Sequence, residues 1–225
     1  DDYTRFYLSK QENVKFCYVT GEMSSSSSKH PSKIRNSGDK AKLISSNDTS
    51  NFTFKGRFKT AEEAMTISYL VSQKAHNALK WLVHQQGQKG GEKVFILWGT
   101  EAQKTPKIFG DTYDFIDHFM IDNIDEIDVT DIGFSKQFNK AILGYKSKIR
   151  PDVKLALIGI EATTTGRMSI VFYREYNGVE GHELIDNIEK WHKSSSWNHR
   201  YKLKDKKIIS FYGAPSLRDI ATVAN

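Results

Sequence analysis

Between residues 60 and 87, apolar side chains return every three or four positions: Ala64, Ile67, Val71, Ala75, Ala78 and Leu82. That period places side chains on one face of an α-helix. Thr60 followed by Glu63 has the spacing of a capping box, and Gly87 supplies a residue that can turn left-handed at the C-terminal stop. Together they predict one long central helix over about 61–86, with the apolar stripe as its core face. A second, polar stripe repeats at the same spacing: Tyr69, Gln73, His76, Asn77, Lys80 and His84, with Lys74 and Trp81 on a flank. It has two readings, a solvated face or a surface that touches phosphate or another polar partner. Catalysis fits poorly. His76 and His84 are two turns apart, not the i, i+4 pair that holds zinc, and no carboxylate stands beside them on that face.

The pattern elsewhere gives shorter elements. VKFCYVT at 14–20 reads as a strand, 42–46 as a short extended piece, and KVFILW at 93–98 as an apolar run of strand length. Residues 153–160 read as a buried strand, joined by a Thr-rich connection to a second strand at 166–176. If that connection is a plain hairpin turn, Gly166 is expected to take a positive φ in it. Residues 134–149 read as a basic amphipathic helix with Phe138, Ile142 and Tyr145 on one side, and 184–193 as another helix. A strand at 207–212 precedes a last helix opened by APS at 214–216. For 111–120 the aromatic spacing fits a helix or a strand. The five serines at 24–28 mark a mobile, low-complexity loop over 23–30, made basic by Lys29, His30, Lys33 and Arg35. Strands and helices alternate without a regular βαβ rhythm. The expected fold class is therefore α+β, with a mixed or antiparallel sheet and several helices in a single domain over 1–225.

Charge adds a direction. The net charge of +6 on 225 residues, 33 basic against 27 acidic, is mild, but it is unevenly placed. Residues 1–59 carry eleven Lys/Arg against six Asp/Glu, 101–131 carry nine acidic residues against Lys104 and Lys107, and 190–207 carry seven basic residues against Asp205. A basic–acidic–basic order suits a protein that grips a polyanion and presents another surface to protein; ordinary patchiness gives the same counts. Cys17 is the only cysteine, so no disulfide can form within the chain, and a reducing, cytoplasmic setting is expected. No run of about 18 apolar residues predicts a membrane span. The chain starts at Asp1 rather than Met, and the expectation is a piece of something longer.

Few patterns carry chemistry. Asp152 and Glu161, with Thr163 two residues on, are spaced like the acidic core of a metal-dependent nuclease, except that Thr163 stands where a Lys should be. No GxxxxGK[ST] loop is present. TTTGR at 163–167 offers hydroxyls and the Arg167 guanidinium to a phosphate, or is a plain hairpin turn. Lys55 and Arg57, beside Phe54 and Phe58, form a basic–aromatic cluster of the kind that stacks bases and holds backbone, though alternating aromatics also suit a strand core. No cofactor and no metal site is expected.

Six stretches in order, CYVTGE at 17–22, HPSKI at 30–34, NFTFKGRF at 51–58, SQKAHNALKWL at 72–82, ATTTGRMS at 162–169 and YGAPS at 212–216, resemble the large subunit of the type I-C CRISPR Cascade surveillance complex. The resemblance spans nearly the whole chain. It implies a non-enzymatic part in antiviral defence, with guide RNA, target DNA and other Cascade subunits as partners. Cleavage would be left to a recruited helicase–nuclease. It also implies a central portion of that subunit, without its N-terminal and C-terminal parts. The candidate nucleic-acid contacts are then Lys55, Arg57, Gln73, Lys74, His76, Asn77, Lys80, His84 and Arg167. The competing expectations are a divergent nuclease built on Asp152 and Glu161, and a scaffold that docks through its acidic 101–131 segment.

Overall fold

Four of the described helices begin where a side chain accepts from the backbone N–H groups that the first turn leaves open. In the computed structural model the described residues are 2–11, 13–27, 29–45, 58, 63, 66–90, 92–100, 105–120, 131–150, 152–202 and 208–224, with 131, 132, 201, 202, 211, 218 and 221 described by backbone alone. The chain divides into two compact units. The first comprises 1–85 and 160–170, the second 86–159 and 171–225. The mixture of helices and antiparallel strands is α+β, as the sequence pattern implies.

In the first unit, α1 (Asp2–Ser9) precedes the hairpin of β1 (Val14–Phe16) and β2 (Met23–Ser25), in register from Val14 opposite Ser25 to Phe16 opposite Met23. Gly21, at φ +72, makes the hairpin loop possible, and its N–H bonds the Cys17 carbonyl at 2.8 Å. The serine run is a correction to the expected mobile loop. Met23–Ser25 is strand, Ser26 bridges Ser68, and the Ser27 N–H bonds the Ile67 carbonyl at 3.0 Å. Backbone pairing overrides the weak strand preference of serine.

That bridge also corrects the long helix. Residues 66–68 are not helical and Ser68 pairs with Ser26, so the helix that ends at Gln86, α2, begins only at Tyr69 (Tyr69–Gln86). Ser68 caps it, its Oγ accepting from the Val71 N–H at 3.2 Å. Thr60 lies outside the described residues. The C-terminal stop falls at Gly87, as read. The helix is rotated from the face its alanines suggest: Ala75 and Ala78 are exposed, while Ser72 and His76 are buried. An alanine methyl gains roughly 0.8 kcal/mol by burial, too little to fix the face.

The hairpin of β5 (Leu155–Thr164) and β6 (Arg167–Tyr176) belongs to both units, its tip at 160–170 to the first. Lys42 docks against that tip: its N–H bonds the Gly166 carbonyl at 3.1 Å, and its carbonyl accepts from Met168 at 2.9 Å. Gly166 does not have the expected positive φ. The Thr165–Gly166 turn closes without it, helped by a Gly166 N–H bond to Thr164 Oγ1 at 3.3 Å.

In the second unit the sheet runs in the order β3 (Gln88–Gly90), β4 (Lys93–Gly99), β5, β6. Gly159 is required where the Phe95 ring and Phe172 Cβ close over it, at 2.8 and 3.1 Å from where a Cβ would stand. Helix α3 (Thr112–Met120) settles the ambiguous aromatic stretch. Its apolar residues Phe115, Ile116 and Met120 follow a helical period and are buried. Phe138, Ile142 and Tyr145 of α4 (Asp131–Lys148) are buried on one side, with Phe134, Ala141 and Ile149 extending the stripe. Helix α5 (Gly178–Ser194) adds Ile185 and Ile188 to the same core. A second hairpin, β7 (Trp197–Lys202) with β8 (Ile208–Gly213), and helix α6 (Leu217–Ala224) complete the unit.

Candidate nucleic-acid interface

Two helices of the first unit border a cleft of about 680 Å³. Thr4, Arg5 and Leu8 line it from α1, and Tyr69, Leu70, Gln73, Lys74 and Asn77 line it from α2. The aromatic residues of DYTRFYLS join the helices: Tyr7 packs on Tyr69 with ring centroids 4.5 Å apart, and Tyr3 stacks on Tyr7 at 6.3 Å. Burial, then the neighbouring Tyr3 and Tyr7, raise the Tyr69 phenol, which stays neutral. Arg5 pairs with Asp2 at 3.7 Å, but their side chains are 83% and 100% exposed, so water screens the pair and the guanidinium remains available to an anion. Lys10 lies over the exposed Phe6 ring at 5.6 Å.

The predicted polar stripe divides. Gln73, Lys74 and Asn77 line the cleft, and exposed His84 lies further along α2. Lys80 is half-buried. His76 corrects the stripe. It is 2% exposed and faces inward, where its Nδ1–H donates to the Ser72 carbonyl at 2.7 Å. One turn of helix supplies that acceptor, so a histidine can be buried at this position. His30 Nδ1 and Ser72 Oγ share a bond of 2.8 Å, and burial, then His76 and Lys42, lower the His30 pKa. His30 therefore adds no charge to the surface at neutral pH. Trp81, placed on a flank by its position, is 62% exposed and continues the line of Lys74 and Asn77 at helical spacing. Arg167 is half-buried at the start of β6. Lys55 and Arg57 lie outside the described residues.

Arg5, Tyr3 and Tyr7 escaped the reading of the sequence, and Trp81 was placed on a flank without being counted among the candidate contacts. Their signal was present: aromatics four apart around an arginine in a chain of basic balance, and a tryptophan among polar neighbours. Cations lining a groove, amide side chains and accessible aromatic faces are the parts from which single-strand binding surfaces are made.

The acidic pair offers less. Asp152 is exposed and held by both arms of Arg150 at 3.1 Å, which keeps its carboxyl below the usual range. Glu161 belongs to the other compact unit. Among the described residues, the His/Asp/Glu group with ligand spacing is Asp111, His199 and Asp219, in the second unit. Burial, then the Asp114 charge, push the Asp111 carboxyl up to about 7. Most of the acidic 101–131 segment lies outside the described residues. No described helix is long and apolar enough to cross a membrane. Comparison with known families gives one whole-chain match: the model for CRISPR-associated protein (Cas_Csd1) fits residues 2–225. No curated protein matches the chain.

Proposed function

Because the chain belongs to the CRISPR-associated protein (Cas_Csd1) family, we propose that it serves as part of the large subunit of a type I-C surveillance complex in the cytoplasm. There it would hold nucleic acid during guide-RNA-directed recognition of foreign DNA. The carrying observation is the α1–α2 cleft, which Arg5 and Lys74 line together with Gln73, Asn77 and the half-buried ring of Tyr69. Cations and amides reach phosphate oxygens without reading base identity, and ring faces accept any base. Such a surface positions a strand. The set contains donors and rings but no paired acid and base, so the role is binding, with strand cleavage left to a recruited helicase–nuclease.

Arg5→Ala with Lys74→Ala is the test. The double variant should bind a labelled single strand of RNA or DNA about tenfold more weakly at low salt, with a shallower salt dependence and an unchanged far-ultraviolet spectrum. Unchanged affinity would remove the cleft from the account. A second reading, assembly scaffold, is favoured by one observation: edge strand β6 exposes Ile170, Val171, Phe172 and Tyr173. Unchanged nucleic-acid binding together with lost subunit assembly in a Phe172→Lys variant would favour that reading instead.

A further inference from the structure

We propose that Asp111, His199 and Asp219 form a binding site for a divalent first-row metal ion of the Zn²⁺ or Mn²⁺ kind, which pins the starts of α3 and α6 to strand β7. One donor atom from each residue lies within 4.8 Å of the others. The three residues come from separate elements. Asp111 caps α3, its Oδ1 accepting from the Asp114 N–H at 2.7 Å. Asp219 closes a capping box at the start of α6, its Oδ2 accepting from the Ser216 N–H at 3.0 Å and the Ser216 hydroxyl at 2.7 Å. His199 sits in β7, opposite Phe211 of β8.

The surrounding backbone makes this a built site. Thr112 and Ala214 exchange two bonds, Thr112 N–H to the Ala214 carbonyl at 3.2 Å and Ala214 N–H to Thr112 Oγ1 at 2.7 Å. The Leu217 N–H bonds the Phe109 carbonyl at 3.2 Å. These clasps fix the chain on either side of Asp111 and Asp219, so the donors do not have to be gathered from loose segments.

Capping explains the two carboxylates but not the depth of Asp111. Asp111 is 1% exposed, and neither Asp111 nor Asp219 forms an ion pair with a lysine or arginine among the described residues. Buried carboxylates are paired with cations or coordinate metals. The group that does face Asp219 is His199, with its Nε2 3.8 Å from Oδ2. That gap is too long for a hydrogen bond. It is close to the separation of roughly 3.4 Å that two tetrahedral ligands of one ion take when each bond is about 2.1 Å. One imidazole with two carboxylates selects against Mg²⁺ and Ca²⁺, which favour all-oxygen shells, and suits Zn²⁺ or Mn²⁺.

The test uses the full chain, stripped with chelator and dialysed. Zn²⁺, Mn²⁺, Mg²⁺ and Ca²⁺ are titrated against the unfolding temperature, and Co²⁺ against visible absorption. One equivalent of Zn²⁺ or Mn²⁺ should raise the unfolding temperature where Mg²⁺ and Ca²⁺ do not. Co²⁺ should show ligand-field bands without a sulfur charge-transfer band. His199→Gln leaves both helix caps in place and should weaken binding at least about tenfold; Asp219→Asn should do the same. Absence of saturable binding at micromolar ion overturns the site, as does binding retained in His199→Gln. So does equal uptake of Mg²⁺, or a sulfur band that places the ion at Cys17.

Discussion

His192 shows what a single buried residue does in this molecule. Thr112 Oγ1, which accepts from the Ala214 N–H, lies 2.8 Å from His192 Nδ1 and can donate to it, leaving the proton of the neutral ring on Nε2. Nε2 has no hydrogen-bond partner among the described residues, and the ring is wedged against Phe115 and Phe138, centroids 5.2 and 5.3 Å away. Burial lowers its pKa from 6.5 to about 4. The folded state therefore keeps the ring neutral while the unfolded chain takes up a proton below 6.5. The His192 contribution to stability is fully present above that pH and is lost as pH falls through 4. The shift corresponds to roughly 3 kcal/mol. A proton NMR titration should place the His192 midpoint near 4, and His192→Gln should flatten that part of the acid limb of the stability curve. A midpoint near 6.5 would contradict the burial. None of this was legible from sequence, because a histidine at the end of an amphipathic helix is equally at home in water or in a core. His76 taught the same lesson from the opposite side, an expected surface residue that an i−4 carbonyl lets the core accept.

Elements were legible where period and length agreed. The aromatic stripe of α4 and the apolar run of β5 lie close to where hydrophobic spacing puts them. The ambiguous stretch before residue 120 became α3 because Asp111 caps it and its apolar face meets the core. Long-range pairing set the rest. Ser26 and Ser68 bridge and so delay the start of α2, and β7 was missed because its six residues hold their place by pairing with β8. Local sequence does not encode those partners. Helix α5 starts at Gly178, six residues before the 184–193 read from the sequence, because that reading passed over a local signal. Asn177 Oδ1 accepts from the Val179 and Glu180 N–H groups, each at 3.1 Å, while Glu180 accepts from the Asn177 N–H at 2.9 Å. Asn177→Ala should cost about 1 kcal/mol in denaturant unfolding, without altering the core. A neutral substitution would mean that the box contributes nothing beyond water.

At the scale of the whole molecule, sequence disclosed the family and only half of the surface. Six short stretches in order carried the resemblance, and the family match over residues 2–225 upholds its coarse form, a CRISPR-associated protein. Lys74, Gln73 and Asn77 were legible because polar residues at helical spacing mark a face. Arg5 and the tyrosines of α1 were not, because nothing in a linear chain says that residues near 5 and near 74 border one cleft. The most direct test of phosphate gripping is the affinity of the 225-residue chain for a fluorescent single strand across a series of salt concentrations. The account predicts that log K falls linearly with log salt, with a slope of at least about −1.4 for the two cations of the cleft. Binding that ignores salt, or no binding at the lowest salt, would contradict it.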